Sequence, residues 1–356
     1  MPETFTKESG ILTQSDCHEE WRNAEGFYSG GKNMNKRTMK KGLAIVLALV
    51  MVFAMTATAF AATGNGYYLI GGNDGVAKNL STDPVTVKVI FESRQYSEND
   101  TSHISDVINV QVTSKSDSNE GFTVRDAVLA VNNSSAGITC LDKDGAALSA
   151  TDKYIKSISK DGKIYDPVLP IDDPDYELDG WMFRVNGKLP VSTLNGASAA
   201  NGPLGTDISD TPIYDGDVIH FYWDYPYNET QTAYYSTHYI TADSTYNNGA
   251  LNIQLKESYS WFANSGYWNI TDFSNYSPAG QLTATVYDVQ GGVIGTGIIN
   301  SDGAGTISGI TLTEGTTYYI KVASTTFKDV EGMSADWDNI TWKILNTTMA
   351  YEKFIA

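Results

Sequence analysis

Cysteine is nearly absent: the 356 residues include two, Cys17 and Cys140. Only Cys140 lies beyond the export signal argued below, so the processed chain has no internal disulfide. Within Gly137-Ile138-Thr139-Cys140-Leu141 it reads as a small buried strand residue rather than a reactive thiol or an intermolecular bridge. Histidine is also scarce, with three of four (His103, His220 and His238) falling after residue 61. No His-Glu-x-x-His, Gly-x-Ser-x-Gly or Cys-His arrangement occurs, and the chain reads as non-enzymatic. Basic residues are outnumbered, 24 Lys and Arg against 42 Asp and Glu, for a net charge of −18. Residues 1–61 hold 7 of the basic and 6 of the acidic side chains, leaving 17 against 36 in the remainder. Such a surface repels phosphate backbones, which excludes nucleic acid as an expected partner. Long apolar runs are missing after Met55, so no membrane span is expected once the signal is removed.

The apolar run that does exist is short and has telling flanks. Asn35-Lys36-Arg37-Thr38-Met39-Lys40-Lys41 is positive, Leu43 to Met55 is apolar, and Ala59-Phe60-Ala61 is a small-x-small cleavage site. Together they predict a secretory signal peptide over residues 34–61 and a protein found outside the cell or on its surface. Signals stand at chain starts, so residues 1–33 are expected to be an upstream overextension, with translation beginning at Met34. Gly30-Gly31 then fits a purine-rich ribosome-binding site read through as protein.

Tyr (22) and Gly (32) are abundant, which favours strands and turns. In Gly180-Trp181-Met182-Phe183-Arg184-Val185-Asn186-Gly187 the period of two puts Trp181, Phe183 and Val185 on one face, with Met182, Arg184 and Asn186 on the other. Asn186-Gly187 is a hairpin-turn signal. Asp215-Gly216 is a second turn, leading into Asp217-Val218-Ile219-His220-Phe221-Tyr222-Trp223, where Ile219, Phe221 and Trp223 alternate with Val218, His220 and Tyr222.

This order, Gly-Trp-Met-aromatic-x-Val-Asn-Gly followed by Asp-Gly-Asp-Val-Ile, resembles the C-terminal β-domain of the transcobalamin and intrinsic factor family in its bacterial secreted form, over roughly Val85 to Trp223. The resemblance implies a β-grasp fold of the soluble-ligand-binding kind. In that family the β-domain closes over a corrinoid held mainly by a separate helical barrel, which this chain lacks.

Taken in order, residues 62–82 are expected to be an N-terminal arm with a short strand at Tyr67-Tyr68-Leu69-Ile70. Val85, Val87, Val89 and Phe91 share one face of a half-buried strand, matched by Ile108, Val110 and Val112 on a second. Val124, Ala127, Val128 and Val131 change to helical spacing, with Thr123 as N-cap and Asp126 at the capping-box position. The six acidic residues from Asp166 to Asp179 read as a solvated loop rather than a Ca²⁺ site, and Asn195 to Pro203 as a flexible excursion. A boundary is expected over 226–248, with a first strand starting inside it. An immunoglobulin-like β-sandwich follows over 249–347, and a tail over 348–356. The expected class is therefore mainly β: an α+β β-grasp domain over 83–225 with one packed helix, then the sandwich, whose turns resemble those of bacterial immunoglobulin-like surface modules.

Trp181, Phe183, Tyr222 and Trp223 are candidates for an apolar platform, and Trp181, Met182, Phe183 and Asn186 match the family motif. His220 is either a ligand to a metal, including the cobalt of a corrinoid, or a strand histidine bonded to a neighbour; the second reading is favoured. The ligand-binding candidates are thus Trp181, Met182, Phe183, Asn186, His220 and Tyr222, with no catalytic residue, no metal residue and no cofactor beyond a corrinoid as ligand. Two functions follow. The leading one is an exported binding protein whose transcobalamin-like domain takes a soluble small molecule, corrinoid-like or other, with a surface glycan, a protein or a separate barrel protein as partner. The alternative is a structural or adhesive surface protein with no small ligand. A concave aromatic pocket beside the Trp181 strand would favour the first, and a filled surface the second.

Overall fold

Two strands rich in β-branched residues, β1 (Val85–Arg94) and β2 (His103–Val112), pair antiparallel, preceded by the short strand Tyr67–Leu69. This is a computed structural model, and it describes residues 67–70, 76–94, 103–165, 180–193, 204–205, 207–224, 227–228, 235–263, 267–270, 273–323, 330–334 and 341–356. The expected signal peptide, the acidic stretch 166–179 and the excursion 195–203 lie outside the described residues.

The helix α1 (Val124–Asn132) follows, and then β3 (Gly180–Val185) and β4 (Val218–Asp224). The sheet order is β2-β1-β4-β3, with β4 parallel to β1 and antiparallel to β3. This is a mixed sheet with one helix on its face. α1 lays Val124, Ala127, Val128 and Val131 against Val85, Val87, Val89, Phe91, Phe183, Val185, Ile219 and Phe221, all buried in one cluster. Cys140, on the strand Ile138–Leu141, joins that cluster, and burial pushes its thiol upward, away from the reactive thiolate.

The start of α1 is fixed by Asp126. Its Oδ2 accepts from the Thr123 N–H at 2.9 Å and the Thr123 hydroxyl at 3.1 Å, and its Oδ1 from the Ser116 N–H at 2.7 Å. Asp126→Ala orphans these donors, so the expected loss is about 2 kcal/mol, read as a lower urea midpoint with unchanged m-value.

The second half is one curled sheet. Its main strands are β5 (Tyr235–Asn247), β6 (Ala250–Ala263), β7 (Leu282–Tyr287), β8 (Val293–Ile299), β9 (Ala304–Ser308), β10 (Thr317–Ala323) and β11 (Met349–Ile355). Their order is β5-β6-β9-β8-β7-β10-β11, with the strand Thr341–Asn346 pairing parallel on the outer edge of β5, and Tyr239 and Thr241 of β5 bond Glu352 of β11. There the Thr347 N–H donates to His238 O at 2.9 Å, and the Ile240 N–H donates to Thr347 Oγ1 at 2.8 Å. Ile240, Leu251, Leu255, Ala284, Val286, Ile307, Ile320 and Val322 fill the enclosed core. Residues 226–248, expected as a boundary, thus contribute a thirteen-residue strand, and the expected tail 348–356 is the strand that closes the curl. Both sheets belong to one unit, Thr58–Ala356. No helix among the described residues is long and apolar enough to cross a membrane.

Candidate functional site

Strand alternation decides which side chains of β3 and β4 meet. Their register pairs Trp181 with Trp223, Phe183 with Phe221 and Val185 with Ile219 on the helix side, and Met182 with Tyr222 and Arg184 with His220 on the other. Phe221 stacks on Phe91 at 5.2 Å between centroids, and Trp181 meets Trp223 edge-on at 5.5 Å. The four aromatics read as one platform therefore divide, with Trp181, Phe183 and Trp223 on the helix side and Tyr222 opposite.

The face opposite the helix is covered as well. Lys88, Ile90 and Glu92 of β1 and Val218, His220 and Tyr222 of β4 are all buried there. Ile90 and Val218 pack against Tyr319, Met349 and Tyr351 of the curled sheet. The Lys88 ammonium lies 4.4 Å above the Tyr319 ring, and burial lowers its pKa. β1, expected to be half-buried, is covered on both sides.

Beside this apolar contact runs a buried polar chain. His220 Nε2 is 3.1 Å from Glu92 Oε2, and His220 Nδ1 is 3.3 Å from the Tyr239 hydroxyl. Glu92 Oε1 accepts from the Thr348 N–H. Tyr239 donates to Glu352 Oε1 at 3.4 Å, and Thr241 donates to the same oxygen at 2.6 Å. Arg184 completes the group. Its Nε donates to Tyr222 Oη at 3.3 Å, Nη1 to Gly187 O at 3.4 Å and Nη2 to Ser258 Oγ at 3.0 Å, and its guanidinium lies 4.4 Å from the Tyr239 ring centroid. Burial pushes Glu352 up to about 7, against the pull of its Thr241 hydrogen bond and the Arg184 charge. Burial likewise holds the Tyr239 phenol well above its ordinary value.

The turns beside the network make their own contacts across the two sheets. Asn186 and Gly187 have φ of 49° and 73°, the left-handed pair a tight hairpin needs, and a β-carbon at Gly187 would come within 2.8 Å of Glu352 Oε2. Asn186 Nδ2 donates to Asp217 at 2.9 Å while its Oδ1 accepts from the Val218 N–H at 2.9 Å. Lys353 reaches Asp217 and the Asp215 carbonyl, both at 3.1 Å, and Tyr319 donates to Gly216 O at 2.9 Å. The turn at Asp215-Gly216 does not fold a ribbon back on itself: it feeds β4 into the sheet parallel to β1.

Of the sequence-predicted residues, the structure gathers Met182, Asn186, His220 and Tyr222 on the covered face, and sets Trp181 and Phe183 on the helix side. His220 has no exposed side-chain surface and both ring nitrogens face partners. The residues that carry most of the network, Arg184, Glu92, Tyr239, Thr241, Ser258 and Glu352, were not singled out. Three of them lie on strands whose polar positions alternate with core residues and so resemble solvent-facing ones. Among the described residues no three His, Cys, Asp or Glu side chains are grouped to hold a metal ion. Comparison with protein-family models, with curated proteins and with solved structures found no match for this chain.

Proposed function

We propose that this is an exported, non-enzymatic structural or adhesive protein of the cell surface, in which the β-grasp-like sheet is joined face to face with the curled sheet and takes no small ligand. One observation carries this reading: the β3–β4 ribbon, where a transcobalamin-like ligand site would lie, is covered by α1 on one face and by the curled sheet on the other. The side chains with the chemistry to hold a ligand, Arg184, His220 and Tyr222, are bonded to other parts of the protein. Export is supported by the charged, apolar and small-x-small pattern of residues 34–61.

Calorimetric titration of the purified protein with a corrinoid panel tests the covered face, and the expected result is no saturable heat. Saturable heat that Trp181→Ala abolishes would overturn this reading and restore the small-molecule one. For export, the expected N-terminus of protein recovered from the medium or envelope is Ala62. Retention in the cytoplasm with residues 34–61 intact would defeat that part.

A further inference from the structure

Past the polar network, the outer face of β5 and β6 is exposed among the described residues at Asp243, Thr245 and Asn252. Thr241 faces the β-grasp-like sheet, and two residues further along the same strand face stand Asp243 and then Thr245, both exposed. Their antiparallel partners are Gln254 and Asn252, which in turn pair with Ala304 and Thr306 of β9. These residues, with Asn300 and Ile298, line a trough of about 770 Å³, within the usual volume range of ligand sites. β8 and β9 pair at Ile299 and Gly305, where the backbones approach so closely that a β-carbon at Gly305 would lie 2.4 Å from Ile298 O.

We infer that this trough binds a neutral glycan chain. The lining is rich in groups that both donate and accept: the side-chain amides of Asn252, Gln254 and Asn300 and the hydroxyls of Thr245 and Thr306. Sugar hydroxyls present the same paired donor and acceptor character. Thr306 Oγ1 donates to Asn252 Oδ1 at 3.0 Å and Gln254 Nε2 donates to the Leu255 and Asp302 carbonyls, which hold three of these side chains in fixed positions. Ile298, about half exposed at 48%, offers an apolar wall to the C–H face of a pyranose ring. The lining's one charge is Asp243, with no Lys or Arg. Together with the net charge of −18, this turns away sulfated, sialylated and uronic acid chains. A peptide strand would seek an unpaired sheet edge, whereas Asn252 and Gln254 are paired on both sides, with β5 and with β9.

This inference deepens the adhesive side of the proposed function by giving it a ligand class and a place. An array of neutral gluco-, manno-, galacto- and xylo-oligosaccharides, printed beside anionic glycans and unstructured peptides, tests it with the purified protein. Retention of at least one neutral glycan is expected. Thr245→Ala with Asn252→Ala should weaken it at least tenfold, and Thr245→Arg, which fills the trough, should abolish it. Both exposed positions are expected to leave the melting temperature unchanged. No binding to any neutral glycan, binding confined to anionic glycans or peptides, or binding indifferent to both variants would overturn the inference. The array reads the trough and the corrinoid titration reads the β3–β4 ribbon, so one can fail without the other.

Discussion

Arg184→Ala is expected to destabilise the protein by about 3–5 kcal/mol, a fall of roughly 10 °C in melting temperature for a unit of this size. Arg184 has no exposed surface, and its three hydrogen bonds join β3 to Tyr222 of β4, to the Gly187 turn and to Ser258 of the curled sheet. Truncation removes a cation from above the Tyr239 ring, opens a cavity and leaves two buried hydroxyls short of a donor. Arg184→Lys is the informative companion. It keeps the charge, yet a point-like ammonium cannot span three acceptors at guanidinium geometry, so a loss between wild type and alanine is expected. Arg184→Met, apolar and of similar reach, is expected to cost less than alanine because it refills the volume. Thermal melting of the three variants checks the order, and an alanine variant as stable as wild type would remove Arg184 from the account. The Arg184 charge also holds Glu352 down, so Glu352 should titrate still higher in the alanine and methionine variants.

Much of the fold was legible from period and turn chemistry. The apolar positions Val85, Val87, Val89 and Phe91, the helical spacing from Val124 to Val131, the Thr123–Asp126 pair and the Asn186-Gly187 turn each appear where simple patterning puts them. Local signals of this kind survive because neighbouring residues alone determine them. What escaped depends on contacts between distant segments. Lys88, Glu92, Arg184 and His220 alternate with core residues as solvent-facing polar groups do, and nothing local distinguishes water from a second sheet as their environment. The curled sheet supplies that environment through Tyr239, Ser258 and Thr348, which lie 19, 74 and 256 residues from their partners His220, Arg184 and Glu92. Residues 226–248, polar and rich in Tyr, read as a boundary with the next module's first strand beginning inside it. β5 is nevertheless a long strand, since its odd positions Tyr239 and Thr241 are buried against the β-grasp-like sheet while Ile240 and Ala242 enter the second core. The Asn248-Gly249 pair that ends β5 was the available turn signal, and the β5–β6 hairpin follows from it.

The protein is expected to be more stable at pH 5 than at pH 7.5, with Glu352 alone contributing about 2 kcal/mol of the difference. Burial raises the Glu352 carboxyl to about 7 in the folded chain, and in the unfolded chain it returns to its ordinary value near 4.5. Between these values the folded state holds a proton that the unfolded state has released. Stability from this group is therefore complete below pH 4.5 and is lost as pH rises through 7. The groups facing it set the size of the effect. Thr241, Tyr239 and Arg184 favour the carboxylate and limit the rise, whereas Asp243 increases it. Glu352→Gln keeps the acceptor for Thr241 and Tyr239 while removing the titration, so this variant should match wild type near pH 5 and exceed it near pH 8. Urea midpoints across pH 4.5 to 8 for the two proteins give the measurement. Identical slopes would assign the pH dependence to the general repulsion of a chain carrying 42 acidic side chains, and Glu352 would then be charged within the folded core at neutral pH. A slope that disappears with the amide means that the junction between the two sheets is held by a neutral carboxylic acid. The junction would then be tightest in mildly acidic surroundings and loosen as the medium turns alkaline.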